Sequence, residues 1–92
     1  MYEISNYSYE RAKDLGVKIK PSMRKGKKID VLDWNNQYIT SIGDIRYGDF
    51  PTYMKTKGKE FALERRRLYH LRHKKDAEKL GSRAYYALQI LW

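Results

Sequence analysis

Along the chain, the spacing of hydrophobic positions changes from helical to alternating and back to helical. Ser8 precedes Tyr9–Leu15, and Gly16 follows, the layout of an N-cap, two short helical turns and a glycine stop. Val17 and Ile19 then alternate with Lys18 and Lys20 before Pro21, which predicts a brief strand suited to a sheet edge. The clearest β signal follows. KKIDVLDW and QYITSIG flank Asn35 and Asn36, residues that tolerate the positive φ of a tight hairpin turn. Alternation places Ile29 and Val31 on one face of the first strand, and Tyr38, Thr40 and Ile42 on one face of the second. Two strands alone are marginally stable, so the Val17–Lys20 segment is expected to add a third.

The second half reads as helical. Asp49 is placed to cap a short helix carrying Phe50, Pro51, Tyr53 and Met54, with Pro51 tolerated in the first turn. Lys57-Gly58-Lys59 interrupts it before a long basic helix running from Lys59 through Lys75 and ending near Gly81, where Ser82 caps the next. That last segment, RAYYALQILW, has almost no polar side, and a helix apolar all round must be covered all round. Either it is the central element of the core, or Tyr86, Ile90 and Trp92 form an exposed apolar patch for a partner. The expectation is one small α+β domain spanning residues 1–92: a short N-terminal helix, an antiparallel hairpin of two to three strands, the long basic helix and the apolar C-terminal helix.

The long helix carries most of the chemistry. At about 100° per residue, Phe61, Leu68 and Tyr69 share one side, and Arg66, Arg67, His70 and Lys74 share the other, with His73 at its edge. The same spacing puts Arg65 and Arg72 on the apolar side. An unpaired charge there is costly, so both are expected to be structural, stacked on a ring or reaching Asp44, Asp49 or the carboxylate of Trp92. Under this phase Arg72→Ala lowers stability by about 3–5 kcal/mol, and Arg66→Ala leaves folding intact.

Charge sharpens this picture. The formal net charge of +9 sits in two blocks: Lys18–Lys28 holds six Lys or Arg and no acid, and Lys55–Arg83 holds eleven against four acids. Such blocks suit an acidic partner. Arg66, Arg67, His70, His73 and Lys74, with Lys25, Lys27 and Lys28, are the candidate contacts to phosphates or to an acidic protein surface, and nearby Tyr side chains suit base stacking. Nine Tyr, two Trp and 41% hydrophobic residues exclude a disordered chain. With no cysteine there is no disulfide framework or thiolate metal site. No run approaches the ~18 apolar residues of a membrane span, and Met1–Leu15 lacks a signal-peptide layout, so neither membrane insertion nor secretion is expected.

Catalytic patterns are missing. The glycines match no phosphate-loop or dinucleotide fingerprint, and Glu60 and Glu64 read as solvated helix partners rather than a catalytic pair. His70 and His73 diverge by about 60° on the helix and are read as surface residues, not metal ligands. No enzyme activity, cofactor, metal or small-molecule substrate is expected.

From Lys20 to Trp92 the chain resembles a family of small, basic, uncharacterised proteins of large DNA viruses and phages. The resemblance is carried by Lys25–Lys28 leading into a strand, by Gly43 followed by Tyr47, Asp49 and Phe50, by Arg65, Arg66, Tyr69, Arg72 and His73, and by Leu91 and Trp92. Family members often have His-Phe where this chain has Ser41-Ile42, and a different connector in place of YMKTKGKEFAL. The resemblance implies a viral origin, hairpin before helices, and no transferable catalytic residue. Two readings follow: a virion-associated structural or accessory protein that binds capsid neighbours or packaged nucleic acid, and a soluble viral DNA- or RNA-binding protein acting through phosphates. Either places the chain in the virion or the cytoplasm of the infected cell.

Overall fold

The computed structural model describes residues 2–92. Helix α1 (Asn6–Leu15) leads into strands β1 (Lys18–Pro21), β2 (Lys27–Leu32) and β3 (Tyr38–Asp44), followed by α2 (Phe50–Thr56), α3 (Lys59–His73), a 3-10 turn (Asp76–Glu78) and α4 (Arg83–Leu91). The strands form an antiparallel sheet in the order β1-β2-β3. The expected third strand is present, with Ile19 opposite Val31 and Ile29 opposite Ile42.

Several ends differ from expectation for local reasons. Ser5, not Ser8, caps α1 by accepting from the Ser8 N–H. Ser8 is fully buried and its hydroxyl donates to the Ile90 carbonyl at 2.9 Å. The hairpin loop is longer than two residues: the Asp33 carboxylate accepts from the N–H groups of Asn35 and Gln37, and only Asn36 takes a positive φ, 64°. A register shift between Val31 and Leu32 moves Tyr38 out of line with Ile42. Its hydroxyl meets Ser41, whose partner Asp30 alternates with the buried Ile29. The long helix stops at His73, and the 3-10 turn fills the stretch before Gly81, which has a φ of 80°. Ser82 caps α4 and Asp49 caps α2, both as expected.

Helix α4 resolves the choice left by its composition. Ala87, Leu88, Ile90, Leu91 and Trp92 are all buried and Tyr86 is half-buried. The patch of Tyr86, Ile90 and Trp92 is therefore core rather than a partner surface, because α1, β3 and α3 all pack against this helix. Its C-terminal carbonyls, which lack helical partners, are taken up by α1: Ser8 serves Ile90, and Arg11 Nε donates to the Gln89 carbonyl at 2.6 Å. Ile29, Val31 and Ile42 from the sheet, Ala12 from α1, Phe50 from α2 and Ala62 from α3 complete the core.

Among the described residues one charged pair lies inside. Lys28 Nζ is 2.8 Å from Asp49 Oδ2, with side chains 4% and 0% exposed. The same carboxylate accepts from the Tyr2 hydroxyl at 2.7 Å and from the Thr52 N–H at 2.9 Å. Lys28 is thus a structural residue and not a partner contact. Burial alone would raise the Asp49 pKa, but the hydrogen bonds from Lys28, Tyr2 and Thr52 outweigh it and hold the carboxyl below its usual value.

Removing one partner of such a pair strands the other, so Asp49→Asn should lower unfolding free energy by about 3–5 kcal/mol at pH 7. A folded pKa below the unfolded one gives stability that is complete above the unfolded value of about 3.9 and lost as pH falls through the folded value. Urea melts of the natural protein should weaken below about pH 4, and Asp49→Asn should show a shallower acid dependence.

Candidate functional site

The inward face of α3 is set by its smallest apolar residue. Ala62 is fully buried, and steps of four, three and four from it reach Arg66, Tyr69 and His73. The Arg66 guanidinium lies 4.9 Å from the centroid of the Phe50 ring. Tyr69 stacks on Trp92 with centroids 4.4 Å apart and planes 9° from parallel, and also meets the His73 ring at 4.2 Å with a tilt of 36°. Phe61, expected on the inner side, is 43% exposed and meets Tyr53 edge to face. The helix is therefore rotated relative to the stripe of Phe61, Leu68 and Tyr69.

This rotation overturns the roles of the arginines. Arg65 and Arg72 are exposed, and among the described residues neither has an ion-pair or hydrogen-bond partner. They are not structural arginines. They lie one step from Ala62 and Tyr69 respectively, on the flank of the inward face, and line a cavity of about 750 Å³ bounded by α3, α4 and the end of the sheet. Seven positions apart, they are separated by about 10 Å along the helix. Arg83, the first residue of α4, lines the same cavity, as does Lys27 at the start of β2.

Aromatic rings form the rest of the lining. Tyr53, Tyr69 and Trp92 contribute inner wall, and Tyr47, 67% exposed, stands in the loop before α2. Gly48 lets Tyr53 approach: a Cβ at that position would lie 2.3 Å from the Tyr53 ring. Two acids are present. Asp44 is engaged by Arg46 at 2.7 Å, and the hydrogen bonds from Arg46 lower its pKa to about 2, keeping the pair charged and mutually satisfied. Asp76 lies 3.8 Å from His73. Lys27, Arg65, Arg72 and Arg83 therefore leave the cavity with excess positive charge.

Of the other predicted contacts, Arg67, His70 and Lys74 share a second cleft away from this cavity. Lys25 and Lys74 are exposed, on the loop before β2 and just past α3. Arg67 is held by Glu64 at 2.6 Å, an exposed pair one helical turn apart. His70 faces a shallower cleft with Leu71, Lys74 and Leu88, where its Nε2 is shielded without a hydrogen-bond partner among the described residues. His73 alone of the predicted row reaches the cavity, where it joins Lys27 and the buried, Asp49-paired Lys28. Arg83, Tyr47 and Tyr53 were missed as site residues. The Ser82 cap marked Arg83 as the start of a helix, but no spacing connects it to α3.

The cavity can hold a ligand that combines negative charge with a flat ring. Four cations supply the first attraction, and the ring ladder of Trp92, Tyr69 and His73 supplies the second. Comparisons with family models, with curated proteins and with solved structures find no match to this chain.

The corrected helical phase reverses the expected mutational pattern. Arg66→Ala should cost about 0.5–1 kcal/mol of stability through loss of the contact with Phe50. Arg72→Ala should leave the unfolding free energy within about 0.5 kcal/mol of the natural protein. Chemical denaturation of the two variants side by side measures the difference.

Proposed function

We propose that the chain is a non-enzymatic nucleic-acid-binding protein that holds its ligand mainly through phosphate contacts. The observation that carries this reading is the convergence of Arg65, Arg72, Arg83 and Lys27 on one aromatic-lined cavity without internal partners for the arginines. Unpaired arginines suit phosphate oxygens, because each presents a planar fork of N–H donors. An acidic protein surface would satisfy the charge equally well but would leave the ring ladder unused.

A role in virion assembly drew part of its support from an apolar last helix free to meet capsid neighbours. With Ile90 and Trp92 inside the core, that support is gone, and nucleic acid is the partner the remaining surface favours. In the viral setting implied by the resemblance, the ligand is packaged or replicating viral nucleic acid, in the virion or the cytoplasm of the infected cell.

A random-sequence oligonucleotide, supplied both as single strand and as duplex, tests the reading by fluorescence anisotropy at increasing salt. Neutralising four phosphates predicts a slope of log K against log salt of about −3 to −4. Arg65→Ala, Arg72→Ala and Arg83→Ala should each make it shallower by about 0.7–0.9. Arg67→Ala should change it little, since Glu64 already engages that charge. A flat salt dependence, or absence of binding to both forms, removes nucleic acid from the account.

A further inference from the structure

The cavity contains more than a set of charges. Trp92 is 8% exposed, Tyr69 is half-buried and stacks on it, and His73, with 32% of its side chain exposed, follows Tyr69 at 4.2 Å. The three rings form a ladder that runs outward from the core and stops at His73. The outermost ring is tilted 36° to Tyr69, has Asp76 3.8 Å from its Nδ1, and lines the cavity together with Arg65, Arg72 and Arg83.

We infer that this cavity takes a single-stranded nucleic acid in preference to a duplex, with one base stacked on His73 as the next rung and the neighbouring phosphates on Arg65, Arg72 and Arg83. The inference rests on the nucleic-acid reading and adds the form of the ligand. In a duplex the base faces are covered by their neighbours, whereas an unpaired base presents a free face to an aromatic ring. The cations sit in a concavity, so a ligand must send part of itself inward to meet them. Helix α3 is also a poor reader of a duplex groove. Its outer cleft sets Arg67, His70 and Lys74 beside the exposed Leu71, and Arg67 is already held by Glu64. The 10 Å separation of Arg65 and Arg72 along the helix leaves room for a base between the phosphates they engage.

The test compares fluorescein-labelled oligothymidylate and oligouridylate with a duplex of equal length, by anisotropy at fixed salt. Tighter binding of either single strand, by about tenfold or more, is the expected result. His73→Ala should remove most of that preference while leaving the slope of log K against log salt unchanged, because stacking releases no counterions. His73→Trp should preserve binding, and the fluorescence of its new indole should be quenched by the stacked base. Lys13→Ala, on the exposed surface of α1, should bind as the natural protein does. Equal or tighter binding of the duplex, or an unchanged preference in His73→Ala, overturns the inference and leaves nucleic-acid binding standing. Absence of binding to all three probes overturns the underlying reading as well.

Discussion

The ion pair of Lys28 and Asp49 is the constraint on which the arrangement depends. A lysine from the most basic stretch of the chain is drawn inside, and it is tolerated there because one carboxylate meets it at hydrogen-bond distance. That carboxylate also starts α2 by accepting from Thr52 and receives the Tyr2 hydroxyl. Strand β2, the start of α2 and the N-terminal segment are thereby joined at one point. Since Tyr53 of α2 and Gly43 of β3 both border the cavity, the pair also sets the position of one cavity wall. Gly43 is needed for that approach: its φ is 79°, and a Cβ there would lie 2.9 Å from both Leu91 and the Lys28 side chain.

Burial of α4 explains why the chain has a usable cavity at all. An apolar helix surrounded by α1, β3 and α3 takes up the core, and α3 contributes only a narrow strip of its surface, centred on Ala62 and Tyr69. The residues flanking that strip, Arg65 and Arg72, are therefore left beside α4 rather than beneath it. They line the same cavity as Arg83 at the start of α4. Like charges gathered in this way oppose folding slightly.

The elements of the fold were largely legible in the sequence, because alternation at Val17–Lys20 and around Ile29 and Ile42, and the caps at Asp49 and Ser82, are local signals. What they do not contain is rotation about a helix axis. Phe61 and Leu68 outweigh Ala62 in any hydrophobic count, yet close packing against α2 and α4 selects the smaller residue and turns the arginines by one position. The roles of Lys28 and Ser8 were illegible for a related reason. Each is defined by a partner distant in sequence, Asp49 for one and the Ile90 carbonyl for the other, and neither partner leaves a mark on its neighbours. The same holds for Arg83, which reaches the cavity only through the turn that reverses the chain after α3.

The bonds from Ser8 and Arg11 to the end of α4 span separations of 82 and 78 residues. Contacts this distant require nearly the whole chain to be in place before they form, and closing so large a loop costs entropy that the ends recover only on meeting. During synthesis α1 leaves the ribosome long before its partner exists. The hairpin and the α2–α3 pair are local enough to assemble in the meantime, but α4 is the element whose arrival closes the core. Until then the newly made chain carries its two basic blocks without a completed interior.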